Sequence, residues 1–546
     1  MSVTPGPAAG NVADTVARAA GREPSAPALI SDDGSVVTWA DLDARADAVA
    51  GALRALDLPA SMGVPARVVI ALGQVPEFAA VFFGTLRAGL VAVPVNPGYT
   101  RRELRHVLAD SAAAVAVATS AAAAAIQAVR TDLPALRHVY APTAADGALA
   151  YAELTVPAAA TIATGSGEDL AVLLYTSGTS GAPKGAMLPH RALLANQGQV
   201  AAVHPPAITA SDVALLALPL FHIFGLSAGL IAIAYHGACG VLLERFDVAR
   251  SLAAIARHRV SVVAAVPQMY AAWLADPELA ARFAAVRVAA SGGAPLPSEV
   301  GERFLAVTGR HVHQGYGLTE TAPVLTTGLA SPVPKVSSIG RPVPGVDLRL
   351  VAADGTVVAE LTAQRGVDTP PTQPGPAVGL ADDDAFEADG TDPGQIVVRG
   401  ENLFLGYWPD RAGGPDEHGW WATGDIAYAD IDGDLFLVDR LGDLILVNGF
   451  NVYPREVEQV LGSHPGVAEA AVIGVPDAVT GEAVFAYVVP AGGHLSVDEL
   501  GVYCGHHLAR YKCPAGYEVV AELPHSLIGK VRKPSLRRPE TGAVVA

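Results

Sequence analysis

Residues 175–185 read Tyr-Thr-Ser-Gly-Thr-Ser-Gly-Ala-Pro-Lys-Gly and directly follow an apolar run at residues 170–174. A strand that leads into such a loop presents backbone N–H groups, hydroxyl groups and a lysine to a polyphosphate. Glycine suits the loop because the backbone must approach the anion closely. Pro183 precedes Lys184 and excludes the helix-initiating geometry of a Walker A loop. The stretch therefore predicts a phosphate-binding loop of another class, with a flexible surface loop as the alternative.

Further strings follow this loop along the chain. They are Ser291-Gly-Gly-Ala-Pro295, Gln314-Gly-Tyr-Gly-Leu-Thr-Glu320, Trp421-Ala-Thr-Gly-Asp425, Asp439-Arg440, Gly449-Phe-Asn-Val-Tyr-Pro-Arg-Glu456 and Ile528-Gly-Lys530. With the loop, this ordered set resembles the signatures of the adenylate-forming enzymes. That family includes acyl-CoA synthetases, aryl-CoA ligases, firefly-type luciferases and peptide-synthetase adenylation domains. The resemblance covers about residues 30–538.

Length and composition exclude several classes of protein. A chain of 546 residues is too long for one compact core, so two or more domains are expected. A formal net charge of -18 argues against general nucleic-acid binding, which needs a basic face. Cys239, Cys504 and Cys513 show neither a disulfide framework nor metal-ligand spacing, which is typical of a reducing cytosol. We therefore expect a cytoplasmic protein, with peripheral membrane association left open.

One long segment, residues 213–243, contains no Asp, Glu, Lys or Arg and could span a bilayer by its length. Pro219, His222 and Gly225 interrupt it, however, and divide it into shorter pieces. We expect a strand, a loop and a buried helix that line a pocket, and no transmembrane segment.

The order of apolar and amphipathic stretches predicts an α/β fold. Strands alternate with helices, such as the amphipathic helix that begins at Thr38, which is typical of parallel sheets. We expect a large N-terminal domain of several subdomains with αβ-layered sheets at residues 1–440. Shorter elements predict a small α+β domain at 441–546, which is mobile in similar proteins. Residues 363–390 are rich in Pro, Gly and Asp and predict an inserted, largely disordered loop.

The resemblance implies a set of nucleotide-binding and CoA-binding residues. Tyr316 would stack on adenine, Asp425 would accept the ribose hydroxyls and Arg440 would assist there. The full set is Thr176, Ser177, Gly178, Thr179, Ser180, Gly181, Lys184, Gly292, Gly293, Ala294, Tyr316, Gly317, Thr319, Asp425, Arg440, Gly449 and Phe450. Open alternatives are core packing for Tyr316, a helix N-cap for Asp425 and a linker salt bridge for Arg440.

The resemblance also implies which residues carry the chemistry. Lys530 would bridge the substrate carboxylate and the α-phosphate, which holds two anions together as charge builds. A solvent-facing lysine is the alternative. Glu320 and Thr176 would bind Mg²⁺, since a carboxylate suits a hard divalent ion; the alternative for Glu320 is a surface glutamate.

His222 matches the family position that gates the acyl pocket, with a hydrogen-bonded core histidine as the alternative. Amino-acid-activating relatives place an aspartate near this position to meet the substrate ammonium group. In this chain the neighbours are Phe221, Ile223 and Phe224. These apolar neighbours favour an acid without an α-amino group.

The sequence as a whole predicts an AMP-forming acyl-CoA synthetase that uses ATP, Mg²⁺ and CoA. A medium- or long-chain fatty acid is the favoured substrate, because the strings at 315–323 and 449–454 resemble the fatty-acid branch of the family. The alternatives are a fatty-acyl-AMP ligase that feeds a carrier protein, an aryl-CoA ligase, and a catalytically inactive binding protein on the same fold. The expected partners are small molecules: the acid, ATP and CoA.

Overall fold

A computed structural model describes residues 10–145, 147–155, 163, 165–176, 183–363, 390–440, 443–447, 450–477, 480–492, 495–525 and 531–536. The chain divides into two compact units. The first contains the chain up to Val346 together with Arg399–Trp421, and the second contains Asp347–Val398 and the chain from Ala422 onward. The predicted insertion at 363–390 lies outside the described residues except at its two ends. The predicted domain boundary between residues 440 and 441 stays a prediction.

Helices and strands alternate along most of the described chain. The α-helices are α1 (Asp14–Arg22), α2 (Trp39–Ala55), α3 (Pro76–Arg87), α4 (Arg101–Asp110), α5 (Ser120–Gln127), α6 (His190–Ala201), α7 (Ala232–His236), α8 (Val248–Arg257), α9 (Pro267–Trp273), α10 (Leu279–Arg282), α11 (Ser298–Thr308), α12 (Pro454–Gly462) and α13 (Val497–His507). The strands are β1 (Pro27–Ile30), β2 (Val36–Thr38), β3 (Arg67–Ala71), β4 (Val91–Pro94), β5 (Val115–Ala118), β6 (His138–Ala141), β7 (Leu149–Ala150), β8 (Leu170–Thr176), β9 (Lys184–Pro189), β10 (Val213–Leu216), β11 (Cys239–Leu242), β12 (Val262–Ala265), β13 (Val288–Ser291), β14 (Val312–Gly317), β15 (Val324–Thr327), β16 (Arg341–Pro342), β17 (Val346–Val351), β18 (Val357–Leu361), β19 (Gly394–Gly400), β20 (Trp421–Ala429), β21 (Leu435–Arg440), β22 (Ile445–Val447), β23 (Phe450–Val452), β24 (Val467–Asp477), β25 (Gly481–Pro490) and β26 (Gly516–Val519). The predicted α/β class is confirmed.

A seven-stranded sheet in the first unit has the order β7-β6-β5-β3-β4-β8-β9. Its strands pair in parallel, except that β8 and β9 are antiparallel. Strands β3, β4 and β5 are buried along their whole length, as expected when both faces of a parallel sheet are covered. Thr176 at the end of β8 pairs with Lys184 at the start of β9. These two strands therefore deliver both ends of the predicted phosphate loop.

A nine-stranded sheet completes the first unit, in the order β16-β15-β14-β13-β12-β10-β11-β1-β2. The six strands from β14 to β1 in this order are parallel, and antiparallel strands flank them at both ends. Because parallel strands end at the same edge of a sheet, the segments after β10, β13 and β14 leave the sheet on one side.

The uncharged segment at 213–243 folds as separate short elements. It contains β10, a π-helix at Phe224–Ile231, α7 and β11. Among the described residues, no helix is both long enough and apolar enough to cross a membrane. The expectation of a strand, a loop and a buried helix is confirmed.

An ion pair with a buried carboxylate joins the amino ends of three neighbouring strands in the nine-stranded sheet. Asp212, just before β10, is only 4% exposed. It accepts hydrogen bonds from Arg287 Nε at 2.8 Å, before β13, and from Ser261 Oγ at 2.7 Å, before β12. Burial alone would raise the pKa of Asp212, but the hydrogen bonds from Arg287, Ser261 and Thr209 outweigh it and lower the pKa to about 2.

Replacing Asp212 with asparagine is expected to destabilise the fold by about 2 kcal/mol at neutral pH, as a pKa shift from 3.8 to about 2 implies. Since the folded-state pKa lies below the ordinary value, this stabilisation is present above pH 4 and is lost as the pH falls towards 2. Urea unfolding at pH 7 and at pH 3 should show that the difference in free energy of unfolding between the variant and wild type is smaller at pH 3. Asp32→Asn, which removes a carboxylate 4.0 Å from Arg250, should change little at either pH. If the difference in free energy of unfolding for Asp212→Asn were the same at both pH values, the lowered pKa of Asp212 would not be its cause.

The two smaller sheets belong mainly to the second unit. One has the order β18-β17-β19-β20-β21, and the other has the order β23-β22-β25-β24 with β26 beside β25. Helices α12 and α13 contribute Val457, Leu461 and Leu500 to the apolar core against the second of these sheets. This arrangement matches the small α+β architecture predicted for the C-terminal part of the chain.

Candidate active site

The hairpin β8–β9 holds the two described ends of the predicted phosphate loop. Thr176 is half-buried and Lys184 is exposed, so both face accessible space at the mouth of the loop. A Cβ atom at Gly185 would lie 2.8 Å from Leu173 Cδ1, which shows how tightly the hairpin is packed behind Lys184. The loop residues Ser177, Gly178, Thr179, Ser180 and Gly181 lie outside the described residues, and their contacts with phosphate stay predictions.

The segment Asn402–Trp408, which we call the 402–408 segment, runs beside β9. Leu405 N donates to Met187 O at 2.9 Å, and Met187 N donates to Gly406 O at 3.1 Å. Trp408 N donates to Gly185 O at 2.8 Å. The segment is therefore hydrogen-bonded to the strand that begins at Lys184.

Glu320 lies in a short 3₁₀ turn after β14 and is 7% exposed. Its Oε1 atom accepts a hydrogen bond from the Tyr407 hydroxyl at 2.6 Å, and its backbone carbonyl accepts one from Phe404 N at 2.9 Å. Glu320 is thus not a surface glutamate, and that alternative is wrong. None of the lysines, arginines and histidines that the structure describes forms an ion pair with it. A buried carboxylate without a basic partner fits a hard divalent cation such as Mg²⁺.

Strands β13 and β14 bring the predicted adenine-binding residues to one edge of the nine-stranded sheet. Gly292–Ala294 directly follow β13, and Tyr316 lies near the end of the neighbouring parallel strand β14. Tyr316 is half-buried. A Cβ atom at Gly317 would lie 1.7 Å from Pro323 O, so only glycine fits there. Thr319 follows in the turn that carries Glu320. The stacking of Tyr316 on adenine stays a prediction.

His222 lies between β10 and the π-helix at Phe224–Ile231, and it is half-buried. Its Nδ1 atom accepts a hydrogen bond from Phe224 N at 3.2 Å, so the neutral ring carries its hydrogen on Nε2. A Cβ atom at Gly225 would lie 2.3 Å from Pro219 O, which holds the start of the π-helix close to the preceding turn. π-Helical turns occur frequently at functional sites. Gating of an acyl pocket by His222 stays a prediction.

In the second unit, the two predicted ribose residues lie on neighbouring strands. Asp425 in β20 pairs with Arg440 in β21. Asp425 is 6% exposed, and its backbone N donates to Thr423 Oγ1 at 3.1 Å. Because Asp425 lies inside a strand, the helix N-cap alternative is wrong. Binding of a ribose by this pair stays a prediction.

Arg455, at the start of α12, was not singled out by the sequence analysis. Its backbone N donates to Asp439 Oδ2 at 2.8 Å, which ties α12 to β21. Burial lowers the pKa of the Arg455 guanidinium, although Asp439, Glu458 and Asp425 act in the opposite direction. Arg455 belongs to the string at residues 449–456 that is quoted above. No sequence pattern indicates its contact with Asp439, which lies 16 residues earlier.

Several predicted residues cannot be placed. Lys530 and Gly449 lie outside the described residues, as do residues 441–442, where the small domain is predicted to begin. Phe450 is described only through its backbone in β23. The roles that the resemblance implies for these residues stay predictions.

Comparison with known protein families accounts for most of the chain. The family described as AMP-binding enzyme matches residues 16–408. The family described as AMP-binding enzyme C-terminal domain matches residues 456–530. Together the two matches cover the strings quoted above, apart from those between residues 409 and 455.

The chain is similar to proteins of named activity over nearly its whole length. A long-chain-fatty-acid–CoA ligase of Escherichia coli O157:H7 is 34% identical, over 94% of this chain and 91% of that protein. A feruloyl-CoA synthase of Amycolatopsis sp. is 35% identical, over 92% of this chain and 94% of that protein. The crystal structure of ATP-bound MatB from Rhodopseudomonas palustris superposes with a TM-score of 0.83 at 30% identity, over 96% of this chain and 98% of that one.

Proposed function

The chain belongs to the AMP-binding enzyme family and is an AMP-forming acyl-CoA synthetase, and we propose that its acid substrate is a medium- or long-chain fatty acid. In the first half-reaction, a carboxylate oxygen of the acid attacks the α-phosphorus of ATP, and pyrophosphate leaves. In the second, the thiol sulfur of CoA attacks the acyl carbon, loses its proton, and AMP leaves. The acid is the nucleophile in the first step, so no nucleophilic side chain is needed.

The barrier of the first step comes from the approach of two anions and from the charge that develops at phosphorus. A protein lowers such a barrier with cations, oriented N–H donors and alignment of the reacting groups. Lys184 at the mouth of the phosphate loop supplies one cation, and Lys530 is proposed to supply the second between carboxylate and α-phosphate. Asp425 and Tyr316 are proposed to hold the ribose and the adenine.

The observation that carries the ATP-dependent activation is the buried, hydrogen-bonded carboxylate of Glu320, which the 402–408 segment links to the strand that begins at Lys184. We propose that Glu320 and Thr176 hold Mg²⁺, which neutralises phosphate charge when it is bound. The buried position of Glu320 is costly unless a cation is present, and it is expected in an enzyme that binds metal–ATP.

The chemistry around His222 supports an apolar acid. Phe221, Ile223 and Phe224 flank it, and none of the three offers a carboxylate to an α-ammonium group. Of the two enzymes named above from Escherichia coli and Amycolatopsis, the first is named for long-chain fatty acids and the second for feruloyl-CoA. The first activity agrees with the proposal, and the second makes an aryl acid the substrate to test against it.

A substrate screen tests this assignment. CoA-dependent AMP release is measured with acetate, octanoate, palmitate, benzoate, coumarate and malonate. Each buried CH₂ group contributes about 0.8 kcal/mol, so octanoate or palmitate should exceed acetate by at least about a hundredfold in kcat/KM. If kcat/KM were highest with coumarate, the assigned substrate would be an aryl acid instead of a fatty acid. Release of pyrophosphate with accumulation of acyl-AMP, and no release of AMP when CoA is added, would favour an acyl-AMP ligase. ATP–pyrophosphate exchange with none of the acids would indicate a binding protein.

A further inference from the structure

Tyr407 lies between two groups that the proposed reaction uses. Its hydroxyl donates to Glu320 Oε1 at 2.6 Å, and the centre of its ring is 5.5 Å from Lys184 Nζ. A hydrogen bond to a carboxylate is among the stronger ones in proteins. An ammonium group within about 6 Å of an aromatic ring centre is attracted to the face of the ring. One side chain therefore contacts both the proposed metal ligand and the phosphate-loop lysine.

The backbone holds Tyr407 firmly in this position. Tyr407 forms a bridge with Ala186 in β9 on one side, and its N–H donates to Ala412 O at 2.9 Å on the other. The preceding residue, Gly406, has a φ of 119°, and a Cβ atom there would lie 2.1 Å from Arg411 O. This turn accepts only glycine. The Tyr407 ring also packs edge-on against Phe404, with 5.2 Å between the ring centres.

The backbone on the Glu320 side is held by the same segment. Phe404 N donates to Glu320 O at 2.9 Å, and Asn402 Nδ2 donates to Thr321 O at 2.8 Å. The 402–408 segment thus contacts the turn that carries Glu320 and the strand that carries Lys184. Tyr407 therefore belongs to the segment that connects these two elements.

We propose that Tyr407 is a positioning residue for metal–ATP: it fixes the Glu320 carboxylate by a hydrogen bond to Oε1 and holds Lys184 over its ring. The second oxygen of Glu320 is then directed to the cation, while the lysine faces the phosphates. Since the carboxylate is already oriented, it loses little conformational freedom when metal–ATP binds. This inference depends on the metal role proposed for Glu320.

Tyr407→Phe tests the hydrogen bond, because it keeps the ring beside Lys184 and removes only the hydroxyl. Binding of ATP is measured by titration calorimetry, once with Mg²⁺ and once with EDTA. The loss of a hydrogen bond to a charged group should weaken Mg²⁺–ATP binding about tenfold to a hundredfold. Binding of ATP in EDTA should stay within about twofold of wild type, since Glu320 then has no cation to hold.

The matched control is Tyr503→Phe, which removes a hydroxyl that faces Ser463 Oγ at 3.0 Å in the second unit. It should change neither titration. Tyr407→Leu also removes the ring, and it should weaken ATP binding in EDTA as well as in Mg²⁺. If Tyr407→Leu does not fold, the two titrations of Tyr407→Phe are sufficient to test the inference.

Equal weakening of both titrations by Tyr407→Phe, or no weakening of either, would overturn the inference, because the hydroxyl would then have only a general structural effect or none. A separate outcome concerns the wild-type protein. If it binds ATP equally well in Mg²⁺ and in EDTA, both the metal role proposed for Glu320 and the inference about Tyr407 are wrong.

Discussion

Replacing Lys530 with alanine is expected to slow ATP–pyrophosphate exchange by about a hundredfold to a thousandfold with the best acid. The ammonium group is proposed to lie between the carboxylate and the α-phosphate, where it offsets the repulsion of two anions in the transition state. Its removal should lower kcat far more than it raises the KM for ATP, because the other residues proposed to hold the nucleotide lie within residues 1–440. Exchange measured with saturating ATP gives the effect directly.

The second half-reaction provides an internal control for the same variant. A supplied acyl-adenylate and CoA should still give acyl-CoA at a rate within about tenfold of wild type, since the thiol then attacks the acyl carbon and no carboxylate approaches the α-phosphate. Lys533→Ala is the matched substitution: Lys533 is close in sequence, and its Nζ forms an ion pair with Glu458 at 2.7 Å. If Lys530→Ala and Lys533→Ala slow exchange equally, the effect belongs to the basic C-terminal segment and the proposed role of Lys530 is wrong.

Glu320→Gln is expected to lower the rate of ATP–pyrophosphate exchange by about a hundredfold. It should also raise the Mg²⁺ concentration at which this rate is half-maximal. The amide keeps the size of the side chain, and its oxygen can still accept the Tyr407 hydrogen bond. The substitution therefore removes the charge and leaves the packing. Exchange is measured across a range of Mg²⁺ at fixed ATP, together with the unfolding temperature, which should not fall.

Glu299→Gln serves as the control for this charge change. Glu299 is an exposed residue of α11 whose nearest basic partner is Arg303 at 3.5 Å. Its neutralisation should leave the Mg²⁺ dependence unchanged, because exposed charges are screened by solvent. An unaltered Mg²⁺ requirement in Glu320→Gln would show that the buried carboxylate is structural and does not bind metal.

Features encoded within a few neighbouring residues were predicted well. Thr38 does begin an amphipathic helix: it is the N-cap of α2, and its side chain and that of Asp41 form a reciprocal capping box. The apolar run at 170–174 forms β8, and the loop string begins where the strand ends. These features depend on local hydrogen bonds and on the alternation of apolar residues, so the order of residues reveals them.

Contacts between distant residues were not predicted. Tyr407 and Glu320 are separated by 87 positions, and no motif links them. Asp212 is tied to Arg287 across 75 positions, where neither residue carries a signal of its own. The helix N-cap that was left open as an alternative for Asp425 is wrong. The choice between a cap and a strand depends on β20 pairing with β21, which local propensity does not determine.

The order of residues by itself determined the family, and it predicted the phosphate loop and the groups proposed to perform the chemistry, because each is expressed in a short contiguous string. Only the tertiary structure decided that Glu320 is buried, that a tyrosine from a distant segment orients it, and that the same tyrosine lies beside Lys184. Burial and mutual orientation arise when separate strands pair and exclude water. They are properties of the assembled sheets, and no single stretch of the chain contains them.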